Sequence, residues 1–141
     1  MFLVFDTETN GLPENYKLSE EYIHNWPPIV QLSWGIYDMD GTEQALNDFI
    51  VKPNGFKITE ESTKIHGITD EIANKVGYPI KEVLYKFKED FSKVKYVVAH
   101  NFSFDIRVLG AELLRNKMKM RYSNIEREIC TMKLTTKYCA I

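Results

Sequence analysis

The chain has 141 residues, of which 44% are apolar and 13% aromatic, and this suits one folded domain rather than a disordered segment. Its net charge of -2 excludes the overall basic excess of many nucleic-acid-binding proteins, although residues 115–137 carry a local +5. The two cysteines, Cys130 and Cys139, are too few for a disulfide framework and fit a reducing, cytoplasmic compartment.

The first predicted elements are strands. Residues 2–5 are apolar on both faces, which is typical of a central strand rather than of a signal peptide. Residues 11–28 form a long polar segment in which we expect one short helix near 19–25. Residues 29–38 and 45–53 then predict two further strands, so the first three strands should form an antiparallel meander.

The middle of the chain predicts helices. Thr59 and Thr69 are placed to cap two short helices, the second of which ends at Gly77. Pro79 opens a third helix, whose apolar residues recur at helical spacing up to residue 94. No apolar run is long enough to span a membrane.

The last predicted elements complete a mixed sheet. Residues 96–99 read as a short buried strand, the segment from 102 as a helix, and residues 128–132 as a fifth strand. Three antiparallel strands followed by strand, helix and strand predict an α/β domain with a five-strand sheet flanked by helices.

Two acids follow the first apolar run. On a strand, residues two apart point to the same side, so Asp6 and Glu8 should aim at one spot at the strand's carboxyl end. Two neighbouring carboxylates repel one another, and a divalent cation such as Mg²⁺ or Mn²⁺ removes that penalty. Taken alone, this spacing fits two solvated acids at least as well.

A third acid, Asp105, lies in the first turn of the helix after the strand at 96–99. Alone, it fits the preference of acids for helix N-termini. If the two strands are neighbours in the sheet, however, Asp105 faces Asp6 and Glu8. Three acids converging on one cleft favour a metal site over three unrelated surface acids.

Three blocks of the sequence, FDTETNGLP, IHGIT and HNFSFD, resemble the first blocks of the DEDD 3′–5′ exonucleases. The similarity is greatest to the DnaQ-like branch, which contains the epsilon proofreading subunit of bacterial DNA polymerase III. The blocks come in the family's order over residues 2–109, and CTMKLTTKYC resembles the segment that follows. The resemblance implies a ribonuclease-H-like fold with strand order 3-2-1-4-5, and residues 1–141 as a single exonuclease domain.

The resemblance also implies hydrolysis of phosphodiester bonds with two ions of Mg²⁺ or Mn²⁺ in the complete site. By position, Asp6 would contact both ions, Glu8 the ion that activates water, and Asp105 the ion near the leaving oxygen.

Further residues match positions at which the family contacts the 3′-terminal nucleotide. They are Thr7, Thr9, Leu12, His66, Ile68, Asn101 and Phe102. Without the resemblance, Leu12 and Ile68 fit core packing equally well, and Phe102 fits it better.

The family's fourth block, His-x-Ala-x-x-Asp or Tyr-x-x-x-Asp, has no counterpart here. No Asp follows Asp105 and no His follows His100. We therefore expect a domain that is incomplete at its C-terminus, without the last helices or the general base, and weak or inactive alone. His100 as a substitute base is the less favoured alternative.

Two other functions stay open. One is a non-catalytic nucleic-acid-binding module that keeps the fold and a partial metal site; the other is a hydrolase of small nucleotides. The expected partner is the 3′ end of single-stranded DNA, with RNA as the alternative and a DNA polymerase subunit as a candidate partner. No membrane partner is expected.

Overall fold

The structure is a computed structural model that describes residues 1–139, with side chains up to residue 136. The side chain of Cys139, which entered the inference of a reducing compartment, lies outside the described part. No helix in this part of the chain is long and apolar enough to cross a membrane.

Five strands form one mixed sheet in the order β3-β2-β1-β4-β5. The strands are β1 (Phe2–Thr9), β2 (Ile29–Tyr37), β3 (Glu43–Ile50), β4 (Tyr96–Ala99) and β5 (Arg127–Cys130). β1, β2 and β3 pair antiparallel, whereas β4 pairs parallel to both β1 and β5. The predicted fold class and strand order are confirmed, and β1 is longer than its apolar run because it continues through both acids.

Helices connect and flank the strands. They are α1 (Glu60–His66), α2 (Asp70–Val76), α3 (Ile80–Phe91), α4 (Phe102–Arg115) and α5 (Thr131–Cys139). The hydroxyl oxygens of Thr59 and Thr69 accept the N–H groups of Ser62 and Ile72, so both predicted caps are present. α5 was not predicted, because the fifth strand was expected to run to residue 132.

The short helix expected near residues 19–25 is wrong. Tyr22 and Asn25 donate to carbonyls three residues earlier, which makes successive turns without a helical ladder. Arg115 of α4 holds this segment through the carbonyls of Ile23 and Trp26. The conformation therefore depends on a contact from a distant helix, which local propensity does not encode.

The main core lies on one face of the sheet, under α3 and α4. Leu3 and Phe5 of β1 and Trp34 of β2 are buried there together with residues of both helices. Because side chains alternate along a strand, Asp6 and Glu8 lie on the opposite face. The carboxyl ends of the parallel strands β1, β4 and β5 meet at one edge of the sheet, and this edge carries the polar residues of interest.

Candidate active site at the carboxyl ends of three strands

β1 presents three consecutive functional side chains on alternate faces. Asp6 is exposed and Glu8 half-buried, beside Ser33 and Gln31 of β2 respectively, whereas Thr7 is buried on the core side. The predicted common direction of the two acids follows from this alternation.

Asp105 reaches the same strand from the first turn of α4. It is 3% exposed, and its Oδ1 atom accepts the backbone N–H of Thr7 at 3.1 Å and the Thr7 hydroxyl at 2.6 Å. Both bonds go to Oδ1, so Oδ2 is the oxygen left for a ligand within the described residues. Asp105 thus occupies the N–H and the hydroxyl of Thr7, and the contact of the backbone around Thr7 with the 3′ end of a substrate stays a prediction.

All three acids have a raised pKa. Burial raises the pKa of Asp105 to about 6, the Thr7 hydroxyl acts against it, and the charges of Asp6 and Glu8 add to it. Burial also raises the pKa of Asp6, and burial followed by the charge of Asp6 raises that of Glu8. The cluster therefore carries a negative potential that a bound cation would relieve.

The carboxylate oxygens suit a hard cation, but they do not yet enclose one. Among the described residues, no group of three His, Cys, Asp or Glu side chains stands close enough together to hold a metal ion. The charges of Asp6 and Glu8 act on Asp105, whose hydrogen bonds are directed to Thr7. The donor chemistry of the carboxylates fits Mg²⁺ or Mn²⁺.

His100 and Asn101 lie where β4 ends. The Nδ1 atom of His100 is 3.0 Å from the hydroxyl oxygen of Thr131, the first residue of α5. Its charge acts to lower the pKa of Asp6, so the imidazole lies beside the acid pair. Asn101 has a left-handed backbone with φ of 61°, and its side chain forms no cap to α4, so the amide is not committed to the helix.

Candidate residues for a terminal nucleotide lie on the other side of β1. Leu12 is 68% exposed, and the Thr9 hydroxyl donates to the carbonyl of Gly11. His66 accepts the N–H of Ile68 at Nδ1, while its buried Nε2 has no hydrogen-bond partner in the described structure. Burial lowers the pKa of His66, which favours the neutral form of its ring.

Two residues predicted to contact the terminal nucleotide are largely buried, and their contact with it stays a prediction. Phe102 is 5% exposed and packs edge-to-face on Phe5, so it offers no free ring face for stacking on a base. Ile68 is buried with Val30, Ile58 and Ala73. An apolar residue in a motif gives the same sequence signal in both roles, and the burial decides here against a stacking platform. Contact through the edge of Phe102 stays a prediction.

The sequence reasoning missed two residues at this site. Ile65 is 81% exposed next to His66, and it is the one apolar residue within α1, a signal that could have been noticed. Thr131 holds His100 only because β4 and β5 are neighbours, which no local pattern reveals.

Three comparisons place the chain among known proteins. The family model RNase_T, described as "Exonuclease", matches residues 3–140. DNA polymerase III PolC-type of Streptococcus thermophilus (strain LMD-9) is 29% identical over 117 residues, which are 83% of this chain and 7% of that protein. The corresponding protein of Pediococcus pentosaceus is 29% identical over 118 residues.

Among solved structures, E. coli exonuclease I in complex with a dT13 oligonucleotide superposes with a TM-score of 0.77 at 18% identity, over 99% of this chain and 29% of that chain. Exonuclease I from Methylocaldum szegediense gives 0.76 at 21% identity, over 96% of this chain and 29% of that chain. These similarities establish a shared fold. The chain spans less than a third of these structures and about 7% of the curated relatives.

Proposed function

This chain belongs to the RNase_T exonuclease family, and from that premise we propose that it is a metal-dependent 3′–5′ exonuclease that shortens single-stranded DNA. The observation that carries the proposal is the anchoring of Asp105 to Thr7, between Asp6 and Glu8. It ties the second acidic block to the first at the carboxyl end of the central strand.

The three carboxylates would hold the metal ions. Asp6 and Glu8 share one face of β1, and Asp105 has Oδ2 available, so each acid would offer at least one oxygen ligand once the three side chains converge. When bound, two divalent cations supply an activated water and offset the charge that develops on the leaving oxygen. The raised pKa values of the free acids fit a site that is more stable when such charge is present.

The remaining residues would position the substrate. The exposed Leu12 and the neutral ring of His66 would contact the terminal base and sugar. His100 and Asn101, at the end of β4, would contact the scissile phosphate. Thr9 contributes through the loop that carries Leu12.

DNA is the proposed substrate because solved relatives of this fold include exonuclease I bound to dT13 and dA16. The PolC-type relatives make association with a DNA polymerase part of the same proposal, with action in the cytoplasm. RNA is the alternative, since no residue of the site declares a contact to a 2′-hydroxyl.

A second candidate is a non-catalytic DNA-binding module. It is favoured by two observations: the described acids do not yet form a group of three that holds a metal, and no Asp follows Asp105 in the 141 residues. Such a module would bind 3′ ends without shortening them.

The direction of digestion distinguishes these functions. The protein is incubated with Mn²⁺ and a single strand labelled at its 5′ end, and in parallel with the same strand labelled at its 3′ end. We expect a ladder of shortened products from the first and early release of labelled mononucleotide from the second. A full-length strand retained in a stable complex would favour the binding module. Hydrolysis of small nucleotide esters alone would favour a hydrolase of small nucleotides.

A 3′-phosphorylated strand serves as the control substrate. Because the proposed site receives a free 3′-hydroxyl, this strand should be shortened more slowly. Equal rates on both strands, or cuts within the strand, would contradict a 3′-end exonuclease.

A further inference from the structure

A cleft of about 510 Å³ lies at the outer edge of the sheet, between α4, β5 and α5. Phe102 and Ser103 of α4 form its end nearest to Asp105, and Arg127 and Lys133 lie on the side of β5 and α5. Phe102 is the one residue of this lining that the sequence predicted as a site residue.

The lining of the cleft carries an excess of positive charge. Arg107, Arg127 and Lys133 contribute cations, against the single acid Glu128. Arg127 and Lys133 are exposed, and neither forms an ion pair within residues 1–136. On a chain with a net charge of -2, this is a local concentration of unpaired cations next to an acidic centre.

Two helices begin at the inner end of the cleft. Burial acts to raise the pKa of the Cys130 thiol, but the N–H groups of Lys133, Phe102, Asn101 and Met132 outweigh it and lower the pKa. These N–H groups come from the first turns of α4 and α5. Their partial positive charge adds to that of the cations and favours an anion at this end.

The position of the cleft matches the path of a strand through the site. The cleft lies on the β5 side of the acids. β5 is two strand spacings from β1, about 10 Å, which about three stacked nucleotides span. A strand whose 3′ end lies at Asp6 and Glu8 therefore reaches the cleft with its next phosphates.

We propose that this cleft binds the phosphodiester backbone of the nucleotides preceding the 3′-terminal one, through Arg127 and Lys133. The proposal rests on the proposed function and adds to it a subsite for the single strand. Ile106, Ile129 and Leu134 add apolar surface for sugars and bases. Arg107, whose guanidinium donates to the carbonyl of Tyr16, keeps its charge at the mouth in a fixed position.

The test compares oligonucleotides of increasing length. Fluorescence anisotropy measures binding of 5′-labelled dT2, dT4 and dT6, with Ca²⁺ in place of Mg²⁺ to prevent digestion. The variant is the double substitution Arg127→Ala and Lys133→Ala. The matched control is Lys75→Ala with Lys81→Ala, which removes two exposed cations from α2 and α3.

We expect the affinity of the wild type to rise from dT2 to dT6, and the cleft variant to lose that increase. Its affinity for dT6 should fall by about tenfold or more while that for dT2 stays within about twofold. The slope of log Kd against log salt for dT6 should change by about 1.4, since each phosphate contact on a single strand contributes about 0.7. The control variant should behave as the wild type.

Several results would overturn the inference. Equal binding of dT6 by the cleft variant and the control would do so, as would an equal loss for dT2 and dT6. If the wild type shortens DNA but the cleft variant is unaffected, the cleft proposal alone fails. If the wild type neither binds nor shortens any oligonucleotide, the proposed function fails and the cleft proposal with it.

Discussion

Thr7 donates both its backbone N–H and its hydroxyl to one oxygen of Asp105, a residue 98 positions away in sequence. Thr7 lies between Asp6 and Glu8 but points to the opposite face of β1, towards α4. The strand thus offers two acids to solvent and anchors the third with the residue between them. The functional centre depends on this alternation of side chains.

Replacing Thr7 by Val removes the hydroxyl while keeping the shape of the side chain. A hydrogen bond to a charged group is worth roughly 1.5–3 kcal/mol, so the affinity for Mn²⁺ should fall by about tenfold or more. Calorimetric titration with Mn²⁺ measures it, and Thr7→Ser, which keeps the hydroxyl, is the control. A Val variant that binds like the wild type, or a Ser variant that loses as much as Val, would contradict the role of Thr7.

Asp105→Asn should stabilise the metal-free protein near neutral pH. Since the pKa of Asp105 rises from 3.8 to about 6 on folding, its contribution to stability is present below about pH 4 and is lost as pH rises through 6. The free energy of unfolding of the wild type should therefore fall by up to about 3 kcal/mol between pH 4 and pH 7.5, and that of the variant should not show this decrease. Urea unfolding at both pH values in EDTA measures this difference.

The control for that experiment is Glu89→Gln, which removes an exposed acid from α3. It should follow the pH dependence of the wild type. If the free energy of unfolding of Asp105→Asn and of the wild type changed equally with pH, burial of the Asp105 carboxylate would not destabilise the folded state, which would contradict the prediction.

Leu12→Ala tests the contact with the terminal nucleotide. Leu12 is 68% exposed, so its loss should leave thermal stability nearly unchanged while weakening binding of a short single strand by about threefold to tenfold. Leu46→Ala is the matched control, because this leucine is 67% exposed on β3, at the far edge of the sheet. Fluorescence anisotropy with labelled dT2 measures the binding. Equal affinities of the Leu12→Ala and Leu46→Ala variants would contradict a contact between Leu12 and the terminal nucleotide.

Hydrolysis by these 141 residues should be slow. No Asp follows Asp105 in these 141 residues, and residues 1–136 show no positioned general base, a group that typically contributes about 10²–10⁴-fold. Single-turnover digestion of a labelled strand is compared with that of E. coli exonuclease I under the same conditions. A comparable rate that is lost in His100→Gln would assign the base to His100 and contradict this prediction.

Most strands and helices could be predicted from the sequence because their signals are local, whereas the strand order was implied by the resemblance to the exonuclease family. Threonine N-caps, glycines at helix ends and the spacing of apolar residues indicated where most helices and strands lie. The spacing of Asp6 and Glu8 predicted that their side chains point to the same side. The contact between Thr7 and Asp105 was beyond prediction, since it depends on how α4 packs on β1. Burial of Phe102 was likewise undecidable, because core packing and base contact select the same residue type.

The closing test is direct observation of the metal. Crystals soaked in Mn²⁺ give anomalous density at the bound ions. The account predicts a peak in contact with Asp6, with the carboxylates of Glu8 and Asp105 turned towards the same ion. Crystals of Asp6→Asn under identical conditions should lose that peak. Two results would contradict a carboxylate-held metal centre. One is the absence of a peak beside Asp6 at a Mn²⁺ concentration that supports hydrolysis, and the other is an unchanged peak in Asp6→Asn.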